Sequence, residues 1–273
     1  MKKLISLSLA LALFISLAAP TFAIESSFNV TTSENVTYDR PTINMNDPVA
    51  WEQMKQRDIE EYETRLNSID KNLSEDVAAF MSTNNIQPQS MDNNDFLTQF
   101  LSAYPEYNNL NIDQLTSDVE ILRWNPAVEL VRAFFSSNGY DLALDLFNHS
   151  LTEDPENAVC TLTGNTDGMY GHIRTLLTND PFLDKLIAFS EESSIRETIR
   201  DTSHIFESGD LYWAIHGFTW TRTRQAIGCA DFIIYDKYDF NKWQDIPGIV
   251  AGISGTNEFD IFIYGKLFNG VIK

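Results

Sequence analysis

The apolar pattern of this chain changes near Pro155, and that change constrains the fold more than any other feature. Upstream, apolar residues recur at helical spacing: Ala127, Leu130, Val131, Phe134 and Phe135 share one helix face. Downstream, after a turn-rich stretch and one further helix, the spacing shortens to two from Ile195 onward. Phe218-Thr-Trp-Thr-Arg-Thr-Arg224 alternates large and small side chains, as a half-buried strand does. Asp231-Phe-Ile-Ile-Tyr235 reads as a central strand, and Phe259-Asp-Ile-Phe-Ile-Tyr264 as the strand that closes the sheet. The expected fold class is α+β: a helical N-terminal half over residues 47–150, then a mainly antiparallel β-sheet region over residues 151–273. No internal repeat at solenoid spacing interrupts this plan.

Helix boundaries follow from capping chemistry. Asp47 is placed to cap a helix and Pro48 suits its first turn. Trp51, Met54, Ile59, Tyr62, Leu66 and Ile69 give that helix a loose apolar stripe, read as a packing seam. Ser74 is the expected cap of a short helix through Met81. The Asn- and Gln-rich stretch 84–94, with Pro88, reads as a linker, and a further helix over 95–104 stops at Pro105. Asn125 followed by Pro126 marks the start of the clearest helix, which Gly139 ends. Asp141 is the expected cap of the next one, with Leu142, Leu146 and Phe147 facing inward. The short Gly139-Tyr140 connection makes the pair an αα-hairpin. Residues 164–171 read as turns, and Phe182, Leu186 and Phe189 mark one more helix.

Residues 1–23 carry a different signal. Lys2 and Lys3 precede an apolar run, and the small residue Ala23 ends it. A basic start, an apolar middle and a small residue at the cleavage point predict a secretory signal peptide. Residues 24–46, rich in Ser, Thr and Asn, read as a flexible leader. The expected location is secreted or cell-surface associated, with no transmembrane segment after cleavage. Cleavage removes two lysines and no acid, so the net charge of −20 becomes −22. Such acidity argues against a nucleic-acid partner, whose phosphates need a basic surface, and against anionic membranes. It leaves an unknown extracellular or cell-envelope partner. Cys160 and Cys229 are the only cysteines. Export favours a Cys160–Cys229 disulfide; the other reading is two buried thiols that pack as small apolar groups. Two cysteines and four histidines without ligand spacing give no zinc pattern.

The sharpest chemical constellation is Asp236-Lys-Tyr-Asp-Phe240, at the end of an apolar strand. On a strand, Asp236 and Tyr238 share a face and Asp239 does not. Asp236 and Asp239 are candidate oxygen ligands for Mg²⁺, and with Tyr238 candidate catalytic groups. The plainer reading is a turn, in which Asp239 caps backbone amides and Tyr238 packs its ring. His216, which closes the run from Gly209 to Gly217, is the best placed of the four histidines for a chemical role. Arg222 and Arg224 share a strand face with Phe218 and Trp220 and are candidate anion-binding groups. No nucleophile elbow, Walker loop, zincin motif or EF-hand run is present.

Asp210-Leu-Tyr-Trp-Ala-Ile-His-Gly-Phe218, an aliphatic strand, and then Asp236-Lys-Tyr-Asp-Phe240 together resemble a C-terminal module of secreted bacterial proteins and polymorphic toxins. In that module a "DLYYALH-F" element precedes a strand ending in "DxYDF". The helix pair over 125–150 is similar to the upstream part of such proteins. More distantly, Asp236, Tyr238 and Asp239 are similar to the Asp-x-Tyr-Asp core of the colicin M group. Those bacteriocins hydrolyse a lipid-linked peptidoglycan precursor with Mg²⁺. Their core is followed by a His-Arg pair, whereas Asn241-Lys-Trp-Gln-Asp-Ile-Pro247 contains none. The first resemblance implies a secreted bacterial interaction or toxin-like protein, and no cofactor is expected for it. The second implies, as the alternative, a Mg²⁺-dependent phosphodiester hydrolase.

Overall fold

The structure is a computed structural model; it describes residues 40–86, 91, 93–162, 169–192, 197–239 and 256–273. The expected signal peptide, most of the expected leader, Pro88, Phe240 and the 241–247 segment lie outside the described residues. Strand β1 (Thr42–Asn44) comes first. Helices α1 (Pro48–Ser68), α2 (Lys71–Thr83), α3 (Asn93–Ala103), α4 (Ile112–Asn138) and α5 (Asp141–Ser150) follow, with a 3₁₀ turn at Pro105–Asn109. Then come β2 (Asn157–Thr161), α6 (Met169–Asn179), α7 (Phe182–Glu191), β3 (Thr198–Ile205) and the short helix α8 (Gly209–Ala214). Strands β4 (Gly217–Ala226), β5 (Cys229–Tyr238), β6 (Phe259–Phe268) and β7 (Val271–Ile272) complete the described chain. The fold class is α+β, helical first and then a mostly antiparallel sheet.

The sheet runs β1-β2-β6-β5-β4-β3, with β7 also paired to β6. Strands β3 to β6 pair antiparallel with their neighbours, whereas β1–β2 and β2–β6 are parallel. Strand β6 therefore does not close the sheet. It lies inside it, and β2 and β1 extend the sheet beyond. The leader read over 24–46 ends accordingly: residues 42–44 are a strand. Arg40 anchors the entry by donating to the carbonyls of Pro155, at 3.1 Å, and Glu258, at 2.6 Å.

One sheet face carries Ala158, Cys160, Ile261, Ile263, Phe232, Ile234, Phe218 and Trp220, all buried. Helix residues Leu142, Phe147, Phe182, Leu186 and Leu211 join them in one core. Gly265 is required there: a Cβ would lie 2.2 Å from the tip of the Phe232 ring, which covers it. A second core holds Leu73, Val77, Phe80, Phe96, Phe100, Leu115 and Val119 between α2, α3 and the start of α4. Edge-to-face rings, such as Phe80 on Phe96 at 5.5 Å, pack it.

Several caps differ from expectation, each for a physical reason. Asp47 does cap α1, accepting from the amides of Val49 and Ala50. Helix α2 starts a turn before Ser74, because Asp70 accepts from the Asn72 amide at 2.7 Å. Asn125 is not a cap: α4 spans 27 residues with Pro126 inside it. An interior proline costs about 3 kcal/mol. Here the two ends of the helix sit in different cores, Leu115 and Val119 in one and Val128, Val131 and Phe135 in the other. Tertiary packing outweighs the local penalty, and Asn125 instead accepts from the Tyr62 hydroxyl. Gly139 ends α4 in the left-handed conformation at φ 68°, as expected. Asp141 lies in the first turn of α5, but the α5 amides are capped from elsewhere.

Candidate functional site

The group that caps α5 is Asp210, from α8. Its Oδ2 accepts from the Leu142 amide at 3.0 Å and its Oδ1 from the Ala143 amide at 2.8 Å. The same Oδ2 lies 2.9 Å from Nε2 of His172 on α6. The carboxylate is buried, with 3% of the side chain exposed, while His172 keeps 34% exposure. One aspartate thus joins three helices. The sequence shows Asp210 at a helix start, but its partners lie about 40 and 70 residues upstream, which no local pattern reveals.

The strand-end motif lies at the far end of β5. Asp236 pairs with Ile261 and Tyr238 with Phe259. Alternation puts Asp236 and Tyr238 on the covered face, beside Ile234. Tyr238 is 2% exposed, and its ring stacks on Phe259 with centroids 4.9 Å apart and planes at 18°. Burial pushes its phenol well above the usual tyrosine range, and the Asp236 charge adds to that. Asp236 is raised well above the carboxylate range, first by burial; the negative charges of Asp239 and Asp260 add to the rise and the Lys237 amide opposes it. Asp239 follows the last strand residue. Among the described residues, no group of three or more His, Cys, Asp or Glu side chains is arranged to hold a metal ion.

Beneath Phe259 the motif meets a polar seam between α1 and α5. The His149 ring stands edge-on to Phe259 at 4.9 Å. Its Nδ1 lies 3.0 Å from Asp58 Oδ2 and its Nε2 lies 2.9 Å from the Glu156 carbonyl. Both side chains are fully buried. Arg57 closes the seam: Nη1 and Nη2 bind both oxygens of Glu156, at 3.0 and 2.8 Å, and Nη2 also reaches Asp58. That pairing holds the Glu156 carboxyl below its ordinary range. Asp58 falls on the stripe of Trp51, Met54 and Tyr62, a polar residue at a buried helical position. That is the one signal by which the sequence could have revealed it.

His216 sits at φ 51° between α8 and β4. Its carbonyl accepts the Phe206 amide at 2.9 Å, and its ring meets the edge of Tyr212 at 4.7 Å. Arg224 is fully buried. It donates from Nε to the Phe189 carbonyl at 2.6 Å, from Nη2 to Glu192 at 2.7 Å and from Nη1 to Glu197 at 3.2 Å. Those acids occupy the face that an anion would need. Arg222 lies with its guanidinium 4.1 Å from the Trp220 ring and 5.0 Å from that of Phe189, and burial lowers its pKa.

The expected Cys160–Cys229 disulfide is absent: both thiols are free and buried. Cys160 pairs with Ile263 and Cys229 with Phe268, on opposite sides of β6. Two strand spacings and five residues of rise separate them by about 19 Å, far beyond the roughly 7 Å limit for bridging. Burial pushes the Cys160 thiol up to about 12. No helix among the described residues is long and apolar enough to cross a membrane. No protein-family model, curated protein or solved structure matches the chain.

Proposed function

We propose that the chain is an exported bacterial interaction or toxin-like protein in which Asp236, Tyr238 and Asp239 form a packing corner rather than a catalytic centre. The observation that carries this reading is the Tyr238 ring, buried and stacked on Phe259 above the His149–Asp58 pair. A tyrosine so placed stabilises the sheet end by aromatic packing. It is poorly placed to exchange protons with a substrate. The signal-like start of the chain supports export, and the absence of a His-Arg pair after Asp239 removes the basic partner of the colicin M-like alternative. The acidic surface favours a partner that is neither nucleic acid nor anionic membrane.

The test is expression of the mature chain in the periplasm of a test bacterium, beside an Asp239→Ala variant that is shown to fold. The expected result is that the variant and the wild type affect growth equally. Lysis by the wild type that the substitution abolishes would establish the Mg²⁺-dependent hydrolase instead.

A further inference from the structure

We propose that His172 is a catalytic base, oriented by Asp210, that acts on uncharged esters. This site lies apart from the strand-end motif and does not rest on the reading given to it. Three observations carry it. The Asp210 carboxylate is fixed by the two α5 amides, so it cannot turn away from His172. The bond to Nε2 at 2.9 Å selects the tautomer that carries its proton on Nε2. That leaves the Nδ1 lone pair as the proton acceptor, on a ring that is one-third exposed. A buried carboxylate that orients one imidazole nitrogen while the other faces solvent is the geometry of a general base and its positioning residue. His149 and His204 lack that combination. His149 is fully enclosed, and His204 receives the Lys185 ammonium on its Nδ1 at 3.0 Å.

The substrate class follows from the surroundings. A chain with a net charge of −20 repels anions. Tyr140 lies two residues before the first of the amides that Asp210 binds, and Tyr212 and Trp213 follow Asp210 on α8. All three are half-buried and uncharged, with Tyr140 and Trp213 packed edge-on against Phe134 and Tyr212 against Trp213. In the reaction, Nδ1 takes a proton from water as the water oxygen bonds to the ester carbonyl carbon. The tetrahedral adduct then collapses, the C–O bond to the alcohol portion breaks, and the leaving oxygen departs with the electron pair. The alkoxide or phenolate takes up a proton as its basicity requires. The imidazolium returns its proton to solvent and the acid product ionises.

The probe is p-nitrophenyl acetate, with the purified chain assayed from pH 5 to 9. His172→Gln should lower the protein-dependent rate at least tenfold while circular dichroism stays unchanged. Asp210→Asn should lower it and shift the pH profile, since it loses the carboxylate; its circular dichroism must match wild type, because only one side-chain oxygen then remains for the Leu142 and Ala143 amides. Long-range ¹⁵N spectra of the wild-type histidines should place the His172 proton on Nε2. A folded His172→Gln variant that hydrolyses the ester as fast as wild type would overturn the proposal, as would a His172 proton found on Nδ1.

Discussion

Replacing Asp145 by asparagine should stabilise this protein at neutral pH and leave it unchanged in acid. Asp145 lies on α5 where it packs against α1, with 13% of its side chain exposed. Lys55 Nζ is 3.5 Å from its Oδ2 and Trp51 Nε1 lies beside it, but neither is aligned for a well-formed hydrogen bond. Burial pushes the carboxyl up to about 6, against the opposing pull of Lys55. In the unfolded chain it titrates near an ordinary value of about 3.9. The folded state therefore binds more protons between those values, and stability falls as pH rises through them. Two units at about 1.4 kcal/mol each give a loss of about 3 kcal/mol, complete above about pH 7. Asparagine keeps the shape and cannot ionise. Urea unfolding of wild type and Asp145→Asn at several pH values between 4 and 7.5 isolates this group, because other titrations cancel in the difference. The difference should be near zero at pH 4 and grow to about 2–3 kcal/mol in favour of the variant at pH 7.5. A difference that is flat with pH, or a variant less stable at pH 7.5, would refute the reasoning.

Other consequences follow from named contacts. His149→Ala removes one of the two partners of the buried Asp58 carboxylate, leaving it Arg57, and should cost about 1.5–3 kcal/mol by urea unfolding. A cycle with Asp58→Asn should show strong coupling, whereas additive losses would mean that the pair does not act as a unit. Gly265→Ala forces the Phe232 ring out of its place over the glycine and should cost about 1–3 kcal/mol as overpacking; a neutral result would mean that the ring relaxes freely. Both cysteines should react with iodoacetamide only after denaturation, without a reductant, and a peptide pair missing two hydrogens would contradict the free thiols.

The legible parts of the fold were those written in local spacing. The helical half, the strand spacing from residue 195 onward, the Asp47 cap and the Gly139 terminator depend on residues within a few positions of each other. What escaped depends on distant partners. The parallel β2–β6 pair joins segments about 100 residues apart, and the three-residue β1 has no pattern of its own. The α4 helix overrides its proline because two cores hold it, and cores are tertiary facts. The same division holds for the site. The sequence placed Asp236 and Tyr238 on one strand face, but it gave no sign that Tyr238 would stack on Phe259 above His149. It drew attention to His216, a histidine at a conspicuous junction. It passed over His172, whose carboxylate partner comes from a different helix. Arg222 and Arg224 were correctly placed on one face, yet the acids that occupy Arg224, Glu192 and Glu197, come from outside its strand.

The most direct test of the packing-corner account is a Mg²⁺ titration of thermal stability, because a cation bound only by the folded state must raise the melting temperature by mass action. Wild type, Asp236→Asn and Asp239→Asn should be melted with zero to ten millimolar MgCl₂ at constant ionic strength. The account predicts the same melting temperature at every Mg²⁺ concentration for each protein. A saturable Mg²⁺-dependent rise in wild type that disappears in both aspartate variants would contradict it and make the strand end a metal centre.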